Sequence, residues 1–310
     1  MLKFFDVPAV VIMKHNIVSG FARQIEETQS LADIYRLARD SDRRSNFGGT
    51  VLFNHAVDTE TTEALLELYP RHIIDVIAAP SYEEGQLVRL EQGSANIRLS
   101  TFAHLDKLPH FLGDEMYGLF SLKEMPTGRL ALQGLPVTGI RSVEDLILDP
   151  MRIDKHGNPH TIERDPTEQE LKDLLVAWYI NVAGARSNGV VLVRRGVLVA
   201  CGSGQVERVG AVEQALVKGV QKAFDREGIE YDPLLGITGR EKLKKDPLQG
   251  AACASDAFFP FPDAVETLGR VGVSAIIQPY GSVRDGLVID AANRHKIAMP
   301  ATLERCFGHF

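Results

Sequence analysis

The sequence predicts an α/β fold arranged as two similar lobes of αβα layers. Apolar runs of strand length alternate with stretches of helical periodicity. The alternation occurs as two separate series, one on each side of a turn-rich middle. At 310 residues the chain is also longer than a usual single domain, so two packed units are expected, with bounds near 1–160 and 161–310.

In the first series, residues 7–13 form an unbroken apolar run and read as a buried strand, followed by a turn at Ser19-Gly20. A helix over 31–39 begins after Ser30. A strand over 49–54, a helix over 59–69, a strand over 72–79 ending at Pro80 and a short helix over 83–91 complete the series. From about 105 to 161 the pattern weakens around Gly128, Gly134, Pro136 and Gly139. This predicts irregular structure with some strand, closing in a linker over 154–166.

The second series starts with Asp165-Pro166-Thr167-Glu168, which reads as an N-cap, a first-turn proline and an acidic third position, opening a helix toward Ala185. Strands over 190–193 and 197–200 flank Arg194-Arg195-Gly196, a tight hairpin. A helix over 211–225 and a polar Lys-rich loop follow, then an apolar stretch over 251–261. A helix over 264–270, a strand over 275–279, a helix over 285–295 and a strand over 297–299 end the series.

Composition narrows the function classes. Lys plus Arg number 34 against 41 Asp plus Glu, a net charge of −7, which lacks the basic footprint of a general nucleic-acid binder. The run over 7–13 is far short of the ~20 apolar residues that cross a bilayer, so no membrane segment is expected. With no signal-peptide pattern, a cytoplasmic location is expected. Three scattered cysteines, Cys201, Cys253 and Cys306, without any CxxC, argue against a disulfide framework or a cysteine zinc site. His156 and His160 lie four apart but bracket Gly157 and Pro159, so they read as loop residues rather than a helical metal pair.

Several segments carry residues suited to chemistry. Lys14-His15-Asn16 ends the first strand, and an ammonium beside an imidazole suits proton transfer with anion stabilisation. The alternative is a strand end meeting solvent. Residues 255–263, Ser-Asp-Ala-Phe-Phe-Pro-Phe-Pro-Asp, place three aromatic rings and two prolines between two carboxylates. They form either a wall for a planar heterocycle read by Asp263, or a core plug with Asp263 capping the next helix. Gly202-Ser203-Gly204-Gln205 with Arg208 lacks the third glycine of a dinucleotide loop and leaves an anion site or a plain turn. Ser187-Asn188-Gly189 reads as a turn, and Arg305, Phe307 and His309 form a closing tail.

In this order these words resemble the transformylase part of the AICAR transformylase/IMP cyclohydrolase family. Lys14-His15-Asn16 is similar to its KH-x-N start, Phe47-Gly48-Gly49 to SxFGG, residues 77–80 to IIAP, and Ser187-Asn188 to its SN before a strand. Residues 202–208 are similar to GxGQxSR, residues 255–261 are a complete SDAFFPF, residues 278–285 resemble QPGGSxxD, and Arg305, Phe307 and His309 match RxFxH. The resemblance implies two cytidine-deaminase-like lobes without zinc and a homodimer with active sites near the subunit interface. It also implies formyl transfer from 10-formyltetrahydrofolate to the 5-amino group of AICAR, and it allows a bound monovalent cation. By the same resemblance His15 is the base, Lys14 stabilises the intermediate, and Asn188 and Gly48 orient the reacting groups. Arg208, Arg305 and Phe307 meet AICAR, while Phe258, Pro260, Asp263, Asp75 and Ser282 hold the folate. The sequence carries no counterpart of the family's cyclohydrolase part, and ring closure is expected to be left to a separate protein. The family's RYGxNPHQ phosphate motif has no counterpart before Val7. The alternative is a catalytically weak folate- or nucleotide-binding paralogue or regulatory subunit.

Overall fold

The computed structural model describes residues 1–94, 96–125 and 127–307. The first half runs β1 (Ala9–Lys14), β2 (Ile17–Arg23), α1 (Leu31–Ser41), β3 (Gly49–Phe53), α2 (Thr59–Leu66), β4 (Ile74–Ala79), α3 (Gln86–Gly93) and β5 (Arg98–Thr101). Two isolated hairpins form the middle: β6 (Phe120–Glu124) with β7 (Leu130–Gly134), and β8 (Met151–Ile153) with β9 (Pro159–Thr161). The second half runs α4 (Glu168–Gly184), β10 (Val190–Arg194), β11 (Val197–Gly202), α5 (Arg208–Glu227), β12 (Ala252–Ser255), α6 (Asp263–Arg270), β13 (Ala275–Pro279), α7 (Asp285–Arg294) and β14 (Ala301–Thr302).

Ten strands make one sheet in the order β14-β13-β12-β10-β11-β2-β1-β3-β4-β5. Each half contributes the same pattern: an antiparallel hairpin whose first strand is antiparallel to the next, followed by parallel strands joined by helices. The halves meet where β11 pairs antiparallel with β2, at Val197 and Ala22. Strand alternation then divides the core between two faces. Val10, Ile12, Val51 and Phe53 pack under α1–α3, and Val190, Leu192, Cys253 and Ile276 pack under α5–α7. On the opposite face Val191, Val193, Ala254 and Ile277 pack against α4, centred on the fully buried Trp178.

Local chemistry explains the element ends. Ser30 accepts from Asp33 N while the Asp33 carboxylate accepts from Ser30 N, a capping box that starts α1. α4 begins two residues later than the sequence predicts. Thr167 and Glu170 form its capping box, and Asp165-Pro166 lies ahead of it. Ser19-Gly20 is no turn, since both residues lie within β2. A Cβ on Gly20 would stand 2.4 Å from Ala38 O, so this glycine lets α1 approach the sheet. The turn is His15-Asn16, with φ of 54° and 59°, the two left-handed residues of a tight two-residue hairpin. The strand expected over 297–299 reduces to one bridge, Ala298 to Ala275, and β14 forms just beyond it.

Candidate active site

Because β1 runs antiparallel to β3 and β10 antiparallel to β12, one end of the sheet collects most of the segments singled out by sequence. They are the β1–β2 turn, the starts of β3, β4 and β10, and the ends of β11, β12 and β13. Lys14 Nζ donates to Phe47 O at 2.5 Å, fixing the ammonium beside the start of β3. Gly48 has φ of 66°, donates its N–H to Ile73 O at 2.8 Å, and faces the exposed Asp75. A Cβ there would lie 3.7 Å from Asp75 Oδ1. His15 is exposed, and its carbonyl accepts from Arg186 Nη2 at 3.3 Å. Arg186 Nε is buried with no hydrogen-bond partner among the described residues.

On the other side of Arg186, Asn188 donates both its backbone N–H and its Nδ2 to Gln205 O, at 3.3 and 2.8 Å. Asn188 Oδ1 therefore remains as the acceptor. Gly189 is a glycine for space, since a Cβ would fall 2.8 Å from Asn181 Oδ1 and 3.4 Å from Asp256 Oδ2. Arg208 is buried. Its Nη1 donates to Ser255 Oγ at 3.1 Å and pairs with Asp256 Oδ1, while Ser187 Oγ donates to Asp256 Oδ2 at 2.5 Å. These bonds tie the start of β10, the first turn of α5 and the end of β12 into one unit.

The aromatic segment extends from that unit. Phe259 is fully buried, with its N–H given to Gln278 Oε1 at 2.7 Å, so β13 holds the segment in place. Phe258 is half-buried, and Pro260, Phe261 and Asp263 are exposed. The Arg305 guanidinium lies 4.7 Å from the Phe258 ring centre and 5.9 Å from that of Phe307. Arg284 lies 4.3 Å from the Phe261 ring centre. Asp263 opens α6, and its Oδ1 accepts from Ala264 N at 2.8 Å. Ser282 is buried, and its Oγ accepts from Arg284 N at 3.1 Å. His309 lies outside the described residues.

The chemistry available here is acid–base and polar. Burial pushes the Cys201 thiol up to about 11 and the Cys253 thiol up to about 12, and raises Cys306 well above its usual value. None of the three supplies a thiolate near neutrality. Among the described residues no group of three or more His, Cys, Asp or Glu is placed to hold a metal ion. No described helix is long and apolar enough to cross a membrane. Within one chain Lys14 and Ser255 are separated by β2, β11 and β10, roughly 19 Å at ~4.8 Å per strand. Sequence reasoning passed over Arg186, which bridges the two groups. Its position directly before Ser187-Asn188 was the available signal.

Residues 1–218 match the family described as AICARFT/IMPCHase bienzyme. The chain belongs to that family. It is 34% identical over 309 residues to the bifunctional purine biosynthesis protein PurH of Persephonella marina, covering 100% of this chain and 49% of that protein. The PurH of Magnetococcus marinus is 35% identical, with 100% and 50% covered, and that of Aquifex aeolicus is 31% identical, with 99% and 49% covered. The chain thus spans about half the length of the curated relatives it matches.

Proposed function

We propose that this protein transfers the formyl group of 10-formyltetrahydrofolate to the 5-amino group of AICAR, giving FAICAR and tetrahydrofolate in purine biosynthesis. Membership of the AICARFT/IMPCHase family supports the reaction. The observation that carries the reading is that the Lys14-His15 turn and the Ser255–Phe261 wall open on the same end of one sheet, with Arg186 between them.

The AICAR amine is a weak nucleophile because its lone pair is delocalised into the ring. Its attack forms a C–N bond to the formyl carbon and puts negative charge on the formyl oxygen. The exposed His15 imidazole takes the amine proton, and the Lys14 ammonium, held by Phe47 O, faces the developing oxyanion. Collapse breaks the bond from carbon to the folate N10, which takes up a proton from Lys14. Asn188 Oδ1 and Gly48 orient the amine and carboxamide. Arg305 and Phe307 meet the imidazole and its phosphate side, and Arg208 acts through Asp256 to hold the wall. The pterin lies against Phe258 and Pro260, with Asp263, Asp75 and Ser282 as polar readers.

The repeated strand order of the two halves supports two cytidine-deaminase-like lobes. The ~19 Å between turn and wall exceeds what two facing side chains span. That width supports a homodimer in which the turn of one copy completes the wall of the other. The test is to mix purified protein with AICAR and 10-formyltetrahydrofolate and follow tetrahydrofolate by absorbance. A steady rise proportional to enzyme is expected. A flat trace at high AICAR, with folate still bound, would replace this proposal with the binding-paralogue reading.

A further inference from the structure

Where β11 meets β2, the two halves leave a cavity of about 260 Å³ between α1 and α5. Leu37, Asp40 and Ser41 of α1 form one wall. The end of β10, the start of β11, the last turn of α5 and the loop carrying Lys245 and Pro247 form the rest. β10 enters the sheet at Val190, beside the candidate active site, and leaves it at Arg194, in the cavity wall. The two places lie at opposite ends of that strand, about 14 Å apart, and they share no residue.

Three cations from three segments line the cavity: Arg194, Arg226 and Lys245. Each guanidinium gives only one N–H to the protein. Arg194 Nη1 donates to Asp246 O at 2.8 Å, and Arg226 Nη1 donates to Ser41 O at 3.3 Å. Among the described residues neither guanidinium makes a further hydrogen bond or an ion pair, and the Lys245 ammonium makes none. Burial pulls the Arg226 guanidinium below its ordinary value, and the carboxylates nearby do not restore it. Those carboxylates are already engaged. Asp40 is held by Arg39 and Arg43, and both oxygens of Glu227 accept from Lys244 N at 3.1 Å. Capping the last turn of α1 through Ser41 O accounts for Arg226 alone. It does not account for Arg194 and Lys245 opening on the same space.

We propose that this cavity is a binding site for a small phosphate monoester. Two guanidinium forks and an ammonium match the three outer oxygens and double charge of a phosphate, whereas a single carboxylate offers two oxygens and one charge. Leu37, Val197 and Pro247 supply apolar surface for the body of the ligand. The volume lies below the ~300 Å³ at which pockets for drug-sized ligands begin, so that body is about one ring or a short chain. A phosphate held here joins α1 of the first half to β10 and α5 of the second, and its occupancy stabilises the seam between them. The inference is independent of formyl transfer.

Equilibrium dialysis with phenyl phosphate tests it, at fixed ionic strength and about pH 7.5, above the second phosphate pKa of ~6. The unmodified chain should bind the probe. Arg194→Met and Arg226→Met should each weaken binding at least ~10-fold, the loss expected when a charged hydrogen-bond donor is removed. Lys245→Met should weaken it about fivefold with an unchanged melting curve, because that side chain holds nothing else in the fold. Arg305→Met, at the other end of the sheet, should leave this binding unchanged, and phenol, which lacks the anion, should not compete. No binding to the unmodified chain, binding lost in Arg305→Met but kept in Lys245→Met, or equal competition by phenol would each overturn the proposal.

Discussion

Arg208 and Asp256 are the buried ion pair on which the Ser255–Phe261 wall rests, and removing either partner leaves the other charge stranded. Arg208 is 9% exposed and Asp256 2% exposed, and Ser187 and Ser255 complete the network. Arg208→Met takes away the only cation within hydrogen-bonding reach of the Asp256 carboxylate among the described residues, and the Ser187 hydroxyl alone does not compensate a buried charge. Breaking one side of such a pair costs about 3–5 kcal/mol, because desolvation of the remaining ion is no longer offset. Asp256→Asn is isosteric and strands the guanidinium, with a loss of about 3 kcal/mol. The double variant buries a neutral amide against an apolar chain and should lose little more than the worse single variant. That pattern is a coupling of ~2 kcal/mol or more in a double-mutant cycle read by urea unfolding. Losses that add within ~0.5 kcal/mol would refute the reasoning and make the pair a passive neighbour contact.

Other outcomes follow from the same structure. Burial alone would raise the Glu170 carboxyl, but the paired N–H groups of Arg164 and the N–H of Thr167 overrule it and hold it at about 2. The stability Glu170 contributes is therefore fully present above its ordinary value of 4.5 and is lost as pH falls toward about 2. Glu170→Gln should flatten that part of the stability–pH curve in acid titrations followed by circular dichroism, and an unchanged slope would exclude the assignment. Gly202→Ala should lower the thermal midpoint sharply or prevent folding, since its Cβ would lie 1.9 Å from Ala211 O, where backbone meets backbone. Overpacking of that kind costs about 1–3 kcal/mol or more, and a melting curve matching the parent would show that α5 yields freely.

Much of this architecture was legible because periodicity and caps are local. Strands β3, β4 and β13 and helices α1, α6 and α7 follow directly from apolar spacing and end signals. The errors came where a residue's reason is tertiary. Gly20 looks like a turn residue in sequence, yet it is small because Ala38 O passes over it, and that concealed β2. Asp165-Pro166 imitates a helix start, but the reciprocal Thr167–Glu170 pair was the stronger local signal and prevails. The strand over 297–299 failed because Ala298 finds one bridging partner and the chain then shifts to pair at Ala301.

At the candidate site, the motifs singled out residues but not how they connect. Lys14, Asn188 and Phe258 were recognisable as words. That Arg186 links the turn to the wall depends on β2 and β11 meeting at the centre of the sheet, which no local pattern encodes. Arg208 illustrates the same limit. Residue type marked it as an anion binder, while its burial directs it to Asp256. The outward position of Leu122, Leu130 and Leu132 on the β6–β7 hairpin lay in the weakly patterned middle, where alternation over five residues cannot reveal which face looks outward.

On the proposed function the His15 imidazole at the β1–β2 turn takes the proton of the AICAR amine. It is tested most directly by kcat for His15→Ala at saturating AICAR and 10-formyltetrahydrofolate, with folate affinity measured on the same preparation. The account predicts a fall in kcat of at least ~100-fold with folate binding changed by less than about threefold. A kcat within about threefold of the parent enzyme would contradict it and move the catalytic base elsewhere.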